Sequence, residues 1–265
     1  CGFDPYEDNQ FIVVVIGGHI LMYRDNRFLN DKYSSEGTKS IFMRWKAGNM
    51  IWDEDLSGPF VVLIVNKDTS EVICVTDLMS FIPVYLFDSS NNQILSTHVD
   101  ALARISGQSN NIDTTSEVDF ILHGVVTYPY TTYKNIIQVT PATEHRIEIN
   151  ELKSNSYWIP SEEVIHSSIN DTAIHLRESL QEYVKKIVSE SSKIAQFISG
   201  GEDSRTLSAM LQNQKRDAFI FLDQKNREGE TAQKVARIYG ANFNLAIRNK
   251  LHYLNILPSC SNLVG

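Results

Sequence analysis

The residues best placed to do chemistry are Ser199-Gly200-Gly201-Glu202-Asp203-Ser204, between the apolar run 194–198 and a stretch of helical periodicity. Two glycines leave no Cβ between the backbone and a ligand. A turn that opens a helix aims successive N–H groups outward, which suits an anion, and Ser199 and Ser204 add hydroxyls. Asp203 would repel a bare phosphate, so its presence implies a cation such as Mg²⁺ shared between the carboxylate and phosphate oxygens. The Gly-Lys-Ser/Thr of a Walker A loop is absent. The same six residues also fit an ordinary strand-to-helix turn capped by Ser or Asp. Other reactive side chains are scattered: the seven histidines show no i,i+4 or His-x-His spacing, and Cys1, Cys74 and Cys260 form no Cys-x-x-Cys pair. The pattern predicts Cys74 in the core of a strand over 71–76.

The turn needs elements to hold it. Apolar Val-, Ile- and Phe-rich runs at 11–16, 59–65, 71–76 and 84–87, each closed by turn residues, predict strands, with short helices at 39–47 and 116–123. Few helices intervene, so antiparallel sheets are expected. After Pro160 the period changes. Leu176, Leu180, Tyr183, Val184 and Ile187 share one helical face. Strands at 194–198, 218–222 and 243–247 then alternate with helices, one of them over 228–239, which predicts a parallel sheet. Two domains are expected, 1–160 and 161–265, joined through a polar stretch at 150–168.

Composition excludes several classes. The 265 residues are 42% hydrophobic, enough for a sizeable core. Lysine and arginine number 24 against 32 acidic residues, a net charge of −8, which argues against nucleic acid as a partner. The basic residues around 215–237 lack interleaved aromatics and read as a solvated face. No run is long enough to cross a membrane, and a soluble, cytoplasmic protein is expected.

The turn's Ser-Gly-Gly-x-Asp-Ser resembles the PP-loop of the N-type ATP pyrophosphatases, and the order of shorter motifs resembles the asparagine synthetase family along the whole chain. Leu56-Ser57-Gly58-Pro59-Phe60 is similar to its Leu-x-Gly-x-Phe. Thr76-Asp77 and Pro83-Val84-Tyr85 are similar to Arg-Asp-x-x-Gly-x-x-Pro-Leu-Tyr, and residues 96–102 to Ser-Glu-x-x-Ala-Leu. Thr132-Tyr133-Lys134-Asn135-Ile136, Pro141, Tyr157-Trp158 and Glu230-x-Ala232 through Gly240 follow in the family's order.

The resemblance implies an N-terminal-nucleophile (Ntn) hydrolase-like antiparallel β-sandwich, a class II glutaminase, followed by a Rossmann-like PP-loop synthetase domain. The synthetase would use ATP and Mg²⁺ to adenylate a carboxylate, aspartate or a peptide or small acid, before ammonia or an amine displaces AMP. Ser199, Gly200, Gly201, Asp203 and Ser204 inherit the phosphate role, with Asp203 on the metal. Phe197 and Phe221 fall where the family's backbone flanks the nucleoside, although two aromatic residues of a sheet core would read the same. Cys1 falls at the glutaminase nucleophile, its α-amine serving as base. There the chain departs from the family: Gly17 replaces the Asn of the oxyanion hole in Asn-Gly-Glu-Ile-Tyr, Gly37 replaces the Asp that binds the substrate amine, and the segment before Gly17 is too short for the family's Arg-bearing loops. A second Ser-Gly-x-Gly-x-Asp-Glu motif is also missing. An impaired glutaminase and an incomplete synthetase are expected, with a C-terminal synthetase half or a homo-oligomer as partner. The alternatives are a lasso-peptide cyclase or β-lactam synthetase type of ligase, which uses a substrate amine, and a non-catalytic nucleotide-binding remnant.

Overall fold

The computed structural model describes residues 3–18, 20–29, 34–89, 92–148, 151–162, 167–189 and 193–264. The chain divides into two compact units, Cys1–Ser161 and Glu162–Leu263. In the first, the elements run β1 (Tyr6–Glu7), β2 (Phe11–Gly17), β3 (Leu21–Met22), β4 (Arg27–Phe28), α1 (Glu36–Lys46), α2 (Trp52–Asp55), β5 (Leu56–Ser57) and β6 (Phe60–Asn66). They continue with β7 (Val72–Thr76), β8 (Tyr85–Asp88), β9 (Gln93–Ser96), α3 (Val99–Ile105), α4 (Thr114–His123), β10 (Ile136–Gln138), β11 (Thr143–Glu148) and β12 (Glu151–Ser156).

Strands β1-β2-β6-β7-β11-β12 form one antiparallel sheet, β10-β8-β9 a second and the short β4-β3-β5 a third. The largest sheet buries both faces, which is why β2, β6 and β7 are apolar without strict alternation. On one face Val13, Val15, Val62, Ile64, Ile73 and Val75 pack with Ile41 and Phe42 of α1. On the other, Val61 and Cys74 pack with Val84, Leu86 and Val139, which stacks the second sheet against the first. The stacked antiparallel sheets agree with the expectation, and the helix layer of α1 makes the unit mixed α/β.

One expectation needs correction. The stretch 150–168, read as a polar connection, contains β12. Each residue of this strand is exposed, and its ladder to β11 runs from Thr143↔Ser156 to Glu148↔Glu151. A sheet-edge strand held by its backbone ladder and by polar side chains such as Ser154 and Ser156 needs no apolar face, so no periodicity announces it. Its charges are those of a protected edge.

The second unit contains α5 (Ile169–Val188), β13 (Ile194–Phe197), α6 (Glu202–Met210), β14 (Arg216–Leu222), α7 (Arg227–Ile238), β15 (Asn242–Ile247) and α8 (His252–Val264). Strands β13-β14-β15 form a small parallel sheet, in register Phe197↔Phe219 and Phe221↔Ala246. Ala218, Ile220 and Leu222 alternate along β14 and bury against Ala232, Val235 and Ala236 of α7. The other face of β14 and β13 carries Phe197 and Phe221, exposed at 75% and 49%. They are therefore not core residues. Their rings meet at 5.9 Å between centroids.

Candidate functional site

In the first unit, the sequence points to the end of β2. Gly17 has φ +146°, and a Cβ there would lie 2.3 Å from the Pro59 carbonyl oxygen. Only glycine lets β2 and the segment before β6 approach so closely. A cavity of about 700 Å³ opens at this end, lined by Ile16, Gly17, Gly18, Pro59, Phe81 and Ile82. Next to the lining residue Phe81, Asp77 is buried. One carboxylate oxygen of Asp77 accepts the N–H groups of Met79 and Phe81 at 2.9 and 3.1 Å, and the other accepts Phe60 N–H at 3.2 Å. Inside this cage Ser80 holds φ at +48°, where the Arg-Asp-x-x-Gly pattern has its glycine. Its buried hydroxyl finds no partner among the described residues.

Gly37 lies buried in the first turn of α1, beside Thr38, whose hydroxyl donates to the Asp4 carbonyl at 2.8 Å. Position 37 supplies no carboxylate for a substrate amine. Cys1 lies outside the described residues. Cys74 is buried in β7, and desolvation pushes its thiol up to about 12, which leaves it inert.

In the second unit, the turn after β13 opens α6 at the carboxyl edge of the parallel sheet, where such sheets receive ligands. Gly201 is the N-cap, with φ −74° and ψ 164°, and no side chain caps the helix. The tight turn expected of the glycines is thus made without left-handed backbone. A Cβ on Gly200 would meet Glu228 and Thr231 no closer than 3.6 Å, so the chain itself does not exclude a side chain there. The serines act differently from the expectation as well. Ser204 Oγ accepts Ser199 N–H at 3.1 Å and lies 3.1–3.2 Å from the carbonyls of Ser199 and Gly201, while Ser199 Oγ accepts Gly201 N–H at 3.2 Å. In this arrangement the hydroxyls shape the turn. The first-turn N–H groups of Glu202 and Asp203 have no intrahelical acceptor.

Asp203 is exposed. Among the described residues no group of three or more His, Cys, Asp or Glu could hold a metal ion, so a cation at Asp203 would complete its shell with phosphate oxygens and water. Phe197 and Phe221 lie side by side at the same sheet edge, Phe197 two residues before Ser199.

Behind the turn is a network that the sequence did not announce. Buried Gln196 donates through Nε2 to the Ser204 carbonyl at 3.1 Å and to Ser208 Oγ at 2.9 Å, and its Oε1 accepts Arg216 Nε at 2.9 Å. The Arg216 guanidinium, also buried, donates to the carbonyls of Leu211 and Tyr239, the C-cap residues of α6 and α7, and to that of Ser208. Burial lowers its pKa, and the carbonyl ends of two helices supply the compensating negative potential. A glutamine amid the apolar run 194–198 was the available signal.

Stacked antiparallel sheets under a helix layer make the first unit mixed α/β. A family model described as a glutamine amidotransferase domain matches residues 6–158. The chain belongs to this family. Among solved structures it is similar to glutamine phosphoribosylpyrophosphate amidotransferase from B. subtilis, complexed with ADP and GMP, at 12% identity and a TM-score of 0.37, covering 91% of this chain and 47% of that one. It is also similar to a structure described as the allosteric regulatory enzyme of purine biosynthesis, at 10% identity and a TM-score of 0.39, covering 92% and 62%. The chain therefore spans less than two thirds of either. No curated protein matches it. Among the described residues no helix is long and apolar enough to cross a membrane.

Proposed function

We propose that the chain is part of an asparagine synthetase-like, ATP-dependent amide-bond-forming ligase, in which a carboxylate is adenylated and the acyl-adenylate is captured by ammonia or an amine. The observation that carries this reading is the turn 199–204, a Gly-Gly-x-Asp-Ser segment opening α6 at the carboxyl edge of a parallel sheet. In the first step the substrate carboxylate oxygen bonds to the α-phosphorus of ATP and the bond to pyrophosphate breaks. The first-turn N–H groups of α6 would stabilise charge on that leaving group. Mg²⁺, held by Asp203 and phosphate oxygens, would neutralise the same charge. In the second step the amine nitrogen bonds to the acyl carbon, AMP leaves and a proton is released. Phe197 and Phe221 would flank the nucleoside. The bare sheet face they occupy, together with the exposed apolar side chains of α8, supports a synthetase half completed by further polypeptide, since parallel sheets are normally covered on both faces. Equilibrium titration with Mg-ATP, competed by pyrophosphate, tests the reading; a folded chain that binds neither would refute it.

The first unit favours the version that takes its amine from the substrate. A glutaminase needs an oxyanion donor, and the contact of Gly17 with the Pro59 carbonyl leaves no room for an asparagine side chain. Glutamine should be hydrolysed no faster by the wild type than by Cys1→Ala, measured as ammonia release. Glutamine-protected labelling of Cys1 by an electrophilic glutamine analogue would contradict this.

A further inference from the structure

We infer that α4 and the loop after it form a two-fold contact with a second copy of this chain. Val118, Ile121 and Leu122 fall at i, i+3 and i+4 on one stripe of α4, and Val125, Tyr128 and Tyr130 follow on the loop; all six are exposed. The loop is folded back on the helix, because Asp119 accepts Thr127 N–H at 2.6 Å. These six residues are between 47% and 79% exposed, a concentration of apolar side chains of the kind that marks an interaction site rather than isolated surface residues, and a stable interface draws roughly 800 Å² from each partner.

The charge pattern permits burial. Between Glu117 and Lys134 the only acidic side chain is Asp119 and no lysine or arginine occurs, and the Asp119 carboxylate lies 2.8 Å from His123 Nδ1 and accepts Thr127 N–H. The shape argues for a copy of the same chain. A cavity of about 580 Å³, roomy enough for a large side chain, is lined by Val118, Leu122 and Tyr130 among others. Beside it Ile121 projects, 79% exposed. A projection and a hollow on one stripe are what an isologous contact needs, since each copy must offer both.

Sedimentation equilibrium at about 50 µM, a concentration at which a micromolar dimer is mostly formed, tests this. The wild type should show twice the monomer mass. Ile121→Glu should be monomeric with unchanged far-ultraviolet circular dichroism, and Ile121→Ala should raise the dissociation constant at least about tenfold. Ile238→Glu, at an equally exposed position on α7, should remain dimeric. A monomeric wild type would overturn the proposal, as would an Ile121→Glu chain that dimerises normally or a dimer lost equally in Ile238→Glu. The surface would then belong to a different polypeptide.

Discussion

Ser80 occupies the left-handed region without being glycine, at a cost of about 1–2 kcal/mol, and its hydroxyl is buried without a partner. The Asp77 cage forces both. Ser80→Gly would relieve the backbone and remove the hydroxyl, against about 0.4–1 kcal/mol of added unfolded-state entropy. A net gain of about 1 kcal/mol is expected, read as a higher denaturant midpoint at unchanged slope; a loss would show that the serine has a partner in solution. Gly17 is the opposite case. Its φ and its closeness to Pro59 require the glycine already present. The resemblance aligns this position with a family asparagine, and the backbone here has no room for a side chain of any kind.

Elements here are tied together by buried polar groups as much as by apolar packing. His145 on β11 lies 2.8 Å from Ser154 Oγ of β12 and 3.1 Å from the Thr140 carbonyl. That carbonyl can only accept, so Nε2 carries the proton and Nδ1 accepts from Ser154. Burial lowers its pKa below the ordinary value of 6.5. The unfolded chain therefore takes up a proton at a higher pH than the folded one. Stability should fall as pH drops through 6.5, by at most about 1.4 kcal/mol per pH unit, and level off below the folded pKa. His145→Gln should flatten that segment of a pH series of urea melts; an unchanged slope would place the proton uptake elsewhere. The Gln196–Arg216 network does comparable work in the second unit, linking the turn 199–204 to the carbonyl ends of α6 and α7. Neither network leaves a periodic trace, because each joins single polar residues across elements distant in sequence.

Across the whole molecule, what could be read in advance was what repeats. The apolar runs gave β2, β6 and β7, and the change of period gave β13, β14, β15 and α7, each within a few residues of the observed ends. The motifs placed the Gly-rich turn at the sheet's carboxyl edge. What could not be read is what periodicity does not encode. Edge strand β12 has no buried face. Helix α8 runs through Pro258 and was not foreseen. On α5 the apolar stripe is only partly covered, with Leu176 exposed, because composition says which face is apolar but not what meets it. The central claim, that the turn 199–204 holds Mg-ATP, depends on Asp203 rather than on helix capping. Calorimetric titration of Mg-ATP into wild type, Asp203→Asn and Glu202→Gln separates the two. Charge-assisted contacts are worth about 1.5–3 kcal/mol, so Asp203→Asn should weaken binding about tenfold or more, with Glu202→Gln close to wild type. Equal effects at both positions, or no heat from a folded wild type, would contradict the account.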